Sequence, residues 1–255
     1  MSRPDLMFPQ WPAPPGVRAA FTLRSGGVSR PPFDTFNVGA HVGDDPRAVA
    51  ANRAGLRASL GLPAEPAWLQ QVHGRRVVDL DREAALDALG PADAVVTRSP
   101  GRVCVIQVAD CMPVLFAAAD GCAVAAAHAG WRGLAGGVLE ATVRAMNTAP
   151  GELLAWLGPA IGQAHFEVGE EVRAAFLATD AGAGAAFTAN ERGRWQCDLH
   201  VLARRRLSRL GVHSIHGGDW CTHADAGRFF SYRRDGSCGR MAALIWLGSR
   251  GPAGA

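Results

Sequence analysis

Residues Val103 to Gly133 read VCVIQVADCMPVLFAAADGCAVAAAHAGWRG. Val103 to Ala109 is short, β-branched and almost wholly apolar, which predicts a buried strand. It ends at Asp110-Cys111. Pro113 has no N–H to donate, so a central ladder is not expected to run through it. Val114 to Ala119 and Cys122 to Ala127 are two further apolar runs, the second stopping at His128. Leu134, Val138, Leu139, Thr142 and Val143 then recur at helical spacing and predict a helix over 134–146. Cys111 and His128 therefore fall at strand ends, where a rigid scaffold presents side chains to a cleft.

Two chemistries fit these residues. In one, Cys111 is a thiolate nucleophile, His128 its base, and Asp110 or another acid the orienting group. In the other, Cys111 and His128 are metal ligands and a third comes from elsewhere; three protein ligands leave one position open, the catalytic form of a zinc site. A blander reading is a buried cysteine acting as a small hydrophobe beside a hydrogen-bonded core histidine. His128-Ala-Gly-Trp-Arg-Gly133 adds an anion-binding pattern. Glycines ahead of a helix let backbone N–H groups approach negative charge, and Arg132 offers a bidentate fork for phosphate or carboxylate. The alternative there is a tight turn with a solvated arginine.

The 255 residues are 48% hydrophobic and 19% charged, which describes a folded chain able to bury a large core. A net charge of +3 is too small to argue for nucleic-acid binding. All 26 basic residues are arginine, so Schiff-base and P-loop lysine chemistry are excluded. Met1 to Gln10 has no apolar leader core, and no apolar run reaches membrane-spanning length. Six cysteines without a compact framework read as reduced thiols. A cytoplasmic protein that does not engage a membrane is expected.

Outward from the centre, Val17 to Leu23 reads as a first strand, and Arg24 to Phe33 as a glycine-containing loop. A second loop, Phe36 to Asp45, carries Asn37, His41 and Asp44. Pro46 to Leu60 is an amphipathic helix with Val49, Leu56 and Leu60 inward, ended by Gly61-Leu-Pro63. Trp68 to Val72 reads as a short strand delivering His73, a third histidine at a strand end and so the missing third ligand. Glu83 to Leu89 reads as a short helix, Asp93 to Thr97 as a strand and Leu153 to Leu157 as another. Phe166 to Leu177 begins a helix, and Thr179 to Ala189 is loop-like. Asp198 caps a helix over 199–210, whose Arg204-Arg-Arg206 run reads as a solvated face. Ser214 to His216 suggests an edge strand, and Arg240 to Leu247 a final buried strand. Cys221 and His223 form a C-x-H pair at what reads as a packed strand end. The fold class expected is α/β (α+β): one domain over 1–255, a mixed-sheet sandwich with flanking helices, its core over about 18–247.

These segments resemble a known family in their order: Phe21-Thr-Leu-Arg-Ser-Gly-Gly-Val-Ser29, Asn37 with His41-Val-Gly-Asp44, Gln71-Val-His-Gly74, Ala109-Asp-Cys-Met-Pro113, His128-Ala-Gly-Trp-Arg-Gly133, Gly158-Pro159, and Phe229-Phe-Ser-Tyr-Arg-Arg-Asp-Gly236 with Gly239-Arg240. The chain resembles the YfiH/DUF152 family, also called peptidoglycan editing factor or polyphenol oxidase, with a laccase domain-containing human relative. The resemblance implies a zinc site of His73, Cys111 and His128, and a monomeric mixed α/β sandwich. It also implies phosphorolysis of adenosine, inosine, guanosine and methylthioadenosine, and deamination of adenosine. Where relatives often have tyrosine in Y-E-V, this chain has Phe166-Glu-Val168.

On this reading Arg132 and the arginines Arg24, Arg233 and Arg240 balance phosphate charge, and Asn37, His41 or Asp110 orients base or ribose. Two rival functions remain. One is amide hydrolysis of a cytoplasmic peptidoglycan precursor through Cys111, His128 and Asp110. The other is copper-dependent phenol oxidation, because a His₂Cys set also matches blue-copper ligation. Against copper, no histidine follows Cys111 closely, and no H-x-H pair is present.

Overall fold

The computed structural model describes residues 3–83, 85–86 and 89–248. The helix expected over 83–89 and the ends of the 1–255 domain lie partly outside the described residues. In chain order the strands are β1 (Leu6–Met7), β2 (Val17–Thr22), β3 (Val77–Asp79), β4 (Ala94–Thr97), β5 (Val103–Val108), β6 (Met112–Ala118), β7 (Val124–Ala129), β8 (Leu153–Leu157), β9 (Glu167–Val168), β10 (Phe187–Ala189), β11 (Trp195–Cys197), β12 (Ser214–Gly217) and β13 (Met241–Leu247). The helices are α1 (Pro46–Leu60), α2 (Trp131–Gly136), α3 (Val138–Met146), α4 (Glu170–Leu177), α5 (Leu199–Arg209) and α6 (Tyr232–Asp235).

Two sheets form the centre. One has the order β1-β2-β13-β5, the other β12-β8-β6-β7-β4-β3; a small third sheet is β10-β11-β9. The six-stranded sheet is mixed, with β12–β8 and β3–β4 parallel and the pairs around β6 and β7 antiparallel. Side-chain alternation sorts the core into layers. On β6, Val114, Phe116 and Ala118 face a cluster built with Leu134, Leu139, Val172, Phe176 and Leu202 of α2 to α5. Leu115 and Ala117 face the opposite way, against Phe21, Ile106 and Ile245 of the four-stranded sheet. The outer face of that sheet, with Val103, Val105, Leu244 and Trp246, is covered by Phe36, Val38 and Leu56. The order of layers is helix, sheet, sheet, helices, which is the sandwich expected from the sequence.

The chain crosses between the two sheets at Ala109 to Cys111, leaving β5 and entering β6. Asp110 takes φ 88 to make that turn. Pro113 lies inside β6, contrary to the expectation that it stops the ladder. The pairing of β6 with β8 begins only at Val114 opposite Leu157, so the missing N–H falls where no ladder partner is required.

Other boundaries also differ from the sequence reading. The helix expected over 134–146 is two helices, because Gly137 adopts φ 93 between them and α2 already begins at Trp131. Trp68 to Val72 is not a strand; within it Gln70 makes an isolated bridge with Pro91, and just before it Ala67 makes one with Cys104. Helix α4 starts only at Glu170, since Glu167 and Val168 pair with β11. Residues 187–189, expected to be loop, pair with β11 as well. The Arg204–Arg206 face is not simply solvated. Arg204 donates to the Ile215 and Gly217 carbonyls, Arg205 pairs with Asp180, and Arg206 pairs with Glu140.

Helix ends follow local chemistry where the sequence foretold them. Asp45 accepts from Arg47 N ahead of Pro46, and Gly61 closes α1 at φ 56. Asp198 accepts from Val201 N at the start of α5.

Candidate metal and substrate site

Alternation along β6 and β7 places Cys111 and His128 on the side facing the four-stranded sheet, with Pro113 opposite His128 in the register. The site therefore opens at one end of the sandwich, between the two sheets. His73 arrives on the adjoining loop in a left-handed conformation, φ 60. One ligating atom from each of His73, Cys111 and His128 lies within 4.8 Å of the others. His73 Nε2 is 3.7 Å from Cys111 Sγ, and the two imidazoles meet edge to face at 4.7 Å between centroids.

Asp93 holds this arrangement, and the sequence reading missed it. It is fully buried just before β4. Its Oδ1 lies 2.8 Å from His128 Nδ1 and accepts from His73 N at 2.8 Å. Its Oδ2 accepts from Gly74 N at 2.7 Å and Val72 N at 3.2 Å. Burial works against the ionised form, but the bond with His128 and the backbone N–H groups outweigh it and hold this carboxyl below its ordinary range. An ionised carboxylate only accepts, so Nδ1 of His128 carries a proton, and Nε2 is the nitrogen left to face a ligand once a metal displaces its proton.

The donor set fits a metal ion. Burial pushes the Cys111 thiol up, yet the charge and hydrogen bond of His128 and the contact with His73 bring it down to about 6. The same pairing with Cys111, together with Asp93, raises His128 to about 9 despite burial. A thiolate and two imidazole nitrogens in one closely spaced group are ligands for zinc or copper. Gly130 makes room for them: a Cβ there would stand 2.7 Å from Cys111 Sγ and 3.0 Å from His73 Cδ2. At Gly133 a Cβ would meet Gly74 O at 3.0 Å, so this glycine lets α2 lie against the His73 loop. These glycines serve close packing of the ligand loop rather than an approach of backbone to an anion, and α2 is only six residues long.

A cleft of about 490 Å³ lies over the ligands. Its walls include His41, Asp110, Arg132, Arg233 and Arg240 from the sequence-based set. Burial first, then the charges of Arg240 and Arg53, hold the His41 imidazole below its ordinary range. Asp110 does not orient His128; its carboxylate accepts from Thr222 Oγ1 and from Arg233 N, both at 2.6 Å. Among the described residues, none of Arg132, Arg233 and Arg240 has a carboxylate partner. Arg132 stacks on Trp131, Arg233 donates to Glu167 O, and Arg240 donates to the carbonyls of Cys238 and Gly239.

Arg24 and Asn37 lie outside the cleft lining. Arg24 is spent on Ala226 O and Asp34 and sits over the Phe230 ring. Asn37 is buried, donates to Asp44 and Gly39 O, and accepts from Gly39 N and Arg240 N. Asn37 ties the loop carrying His41 to Arg240, while Arg24 ties the Asp34 turn to Ala226. Cys221 accepts from Gly162 N and Ala224 N, and His223 stacks on His165, so the C-x-H pair gathers no third ligand among the described residues. Gln71, Gln107, Trp131, Phe166 and Tyr232 also line the cleft and were not singled out from sequence as site residues.

No helix among the described residues is long and apolar enough to cross a membrane. Residues 18–248 match the family model described as multi-copper polyphenol oxidoreductase laccase. The chain is 53% identical over 242 residues to the Escherichia coli K12 protein named purine nucleoside phosphorylase YfiH, covering 95% of this chain and 98% of that one. It is 54% identical to a Pseudomonas aeruginosa protein also named purine nucleoside phosphorylase, over 94% and 98% of the two chains. The crystal structure of a Neisseria meningitidis DUF152 protein superposes with a TM-score of 0.92 at 47% identity, covering 96% of this chain and 99% of that one. With its layered fold, its cleft and its His-Cys-His group all in place, the chain belongs to the YfiH (DUF152) family.

Proposed function

We propose that the protein is a zinc-dependent purine nucleoside phosphorylase. It cleaves the N-glycosidic bond of adenosine, inosine, guanosine and methylthioadenosine with phosphate, and it also deaminates adenosine. The observation that carries the reading is the set of three arginines in the cleft wall, Arg132, Arg233 and Arg240, none of them paired with a carboxylate among the described residues and all lining the cleft that contains His73, Cys111 and His128. The names of the relatives support the phosphorylase part of the reading.

His73, Cys111 and His128 hold the zinc, which when bound supplies a Lewis-acidic position for an oxygen ligand. Asp93 keeps His128 in the tautomer that ligates. The exposed Arg132 fork takes phosphate, since no backbone or side-chain acceptor among the described residues occupies it. The Arg233 and Arg240 guanidinium groups donate to carbonyls and, from Arg240, to the Cys238 sulfur, none of them a carboxylate, so their positive charge remains available to the developing negative charge of the reaction. Trp131, Phe166 and Tyr232 supply the apolar wall that the base and sugar need.

The test is a chromatographic assay of metal-analysed protein with adenosine, with and without phosphate. Adenine that appears only with phosphate establishes phosphorolysis; inosine in both reactions establishes deamination. Metal analysis of the same sample separates zinc from copper. Neither product from zinc-loaded protein rejects the proposal.

One observation favours a second reading, amide hydrolysis of a peptidoglycan precursor. The Cys111 thiol is acidic and faces His73 Nε2 at 3.7 Å, which is nucleophile-and-base geometry in metal-free protein. Stoichiometric labelling of Cys111 by a thiol reagent in metal-loaded, active protein supports that reading, because a zinc-bound thiolate is protected.

A further inference from the structure

Gln107 is the penultimate residue of β5 and is 5% exposed. Strand β5 is an outer strand of its sheet, so one of its edges has no neighbouring strand. At Gln107 that edge is closed by a side chain instead. Gln71 Nε2 donates to Gln107 O at 2.8 Å, and Gln107 N donates to Gln71 Oε1 at 2.8 Å. The pair reproduces the two bonds of a ladder and fixes the Gln107 backbone, but it leaves the Gln107 carboxamide unused. Among the described residues nothing hydrogen-bonds that carboxamide, and its Oε1 is a buried acceptor without a partner. Buried amide groups are normally satisfied, and an orphan in a cleft wall points to a ligand. Gln107 lines the same cleft as His41, Cys111, Arg132 and Arg240.

We propose that the Gln107 carboxamide reads the edge of the purine base, accepting an N–H through Oε1 and donating to a neighbouring acceptor through Nε2. The assignment rests on the phosphorylase reading above. Phosphate near neutral pH is mostly charged acceptor oxygens with at most two P–OH donors, and it suits the cleft arginines rather than a buried amide oxygen. A purine edge offers a donor and an acceptor side by side in one plane. In adenine these are the 6-amino group and N7; in hypoxanthine and guanine they are N1–H and O6. One carboxamide therefore suits both 6-amino and 6-oxo purines, each through a different edge. An aspartate or glutamate in its place would accept only and would repel O6.

The test compares wild type with the near-isosteric Q107M and with Q107E, using adenosine, inosine and purine riboside (hydrogen at C6) at saturating phosphate. Wild type is expected to show a KM for purine riboside roughly tenfold above that for adenosine, the value of about one hydrogen bond. Q107M is expected to raise the KM for adenosine and inosine roughly tenfold or more, with little change in kcat, bound metal or melting temperature, and to treat adenosine and purine riboside alike. Q107E is expected to lose inosine more than adenosine. Wild-type KM values in Q107M overturn the proposal, as does a wild type that does not distinguish adenosine from purine riboside, a measurement that needs no variant. Discrimination against 2′-deoxyadenosine that disappears in Q107M moves the contact to the ribose and also overturns it. Calorimetry with free adenine keeps the two inferences apart, because it needs no turnover. Weaker adenine binding by Q107M supports the base contact even if phosphorolysis fails; equal binding, or none to wild type, rejects it.

Discussion

Asp93 Oδ1 and His128 Nδ1 stand 2.8 Å apart, both groups buried, and the same carboxylate accepts the backbone N–H groups of Val72, His73 and Gly74. One side chain thus orients one ligand through its ring and another through its main chain. Asp93→Asn keeps the shape but removes the charge and turns one acceptor into a donor facing N–H groups. Metal affinity is expected to fall by about 10- to 100-fold, as for other residues that orient ligands. A chelator competition titration measures it; unchanged affinity would show that the triad is set without Asp93.

Cys111 is held as a thiolate far below the ordinary thiol range, at about 6. In metal-free protein, alkylation by iodoacetamide is expected to rise through about pH 6 and to be nearly complete in thiolate by neutral pH, rather than rising near pH 9. The sign follows from the depressed pKa: protonation, and with it loss of reactivity, occurs only as pH falls below about 6. Zinc-loaded protein is expected to react slowly at all these values. A midpoint near 8 or above in the metal-free form counts against the pairing of Cys111 with His128.

Gly130 has φ −65, a conformation open to any L-residue, so Gly130→Ala tests space alone. The added Cβ would press on Cys111 Sγ at 2.7 Å and His73 Cδ2 at 3.0 Å. The variant is expected to fold, with a stability loss of about 1–3 kcal/mol from overpacking, and to lose most of its bound metal on dialysis. Full metal retention would mean that the ligand loop yields freely.

Arg132 is exposed, stacks on Trp131 and makes no ion pair among the described residues, so little of the fold depends on it. Arg132→Ala is expected to raise the KM for phosphate roughly 10- to 100-fold, the worth of a charge-assisted hydrogen bond, with bound metal and melting temperature unchanged. Lysine at the same position restores charge without the fork and is expected to recover only part of the loss. Equal phosphate KM in all three proteins would move phosphate to Arg233 and Arg240.

The interior supplies a check on the layered core. Phe116 is fully buried on the helical face of β6. Phe116→Ala is expected to cost about 3–5 kcal/mol through lost burial and the cavity left behind. Chemical denaturation reads it directly, and a loss below about 1 kcal/mol would contradict the assigned packing.

Most of the strands were legible because each is a short apolar run that stops at a polar or turn residue, as Val103 to Val108 stops before Asp110. His73, Cys111 and His128 were legible as candidate ligands for the same reason, being the chemistry-bearing residues at those stops. Element boundaries were less so. The break at Gly137 depends on a positive φ that a neighbouring Gly136 could equally have taken, and Glu167-Val168 becomes strand only because β11 lies beside it. Motif membership also misled: Arg24 and Asn37 stand in strong motifs, yet they brace loops from outside the cleft.

Local patterning alone determined the buried strands, the capped helices α1 and α5, and the place of His73, Cys111 and His128 at strand ends as candidate ligands, because periodicity and residue chemistry act within a few positions. Only the tertiary structure decided that Asp93 holds two of those ligands, that Gly130 is the space they need, and that Gln107 is left with an unpaired amide. Each of those depends on groups 19 to 57 residues apart in sequence meeting across strand ends, and a hydrogen bond or a steric gap exists only once the sheets have brought them together.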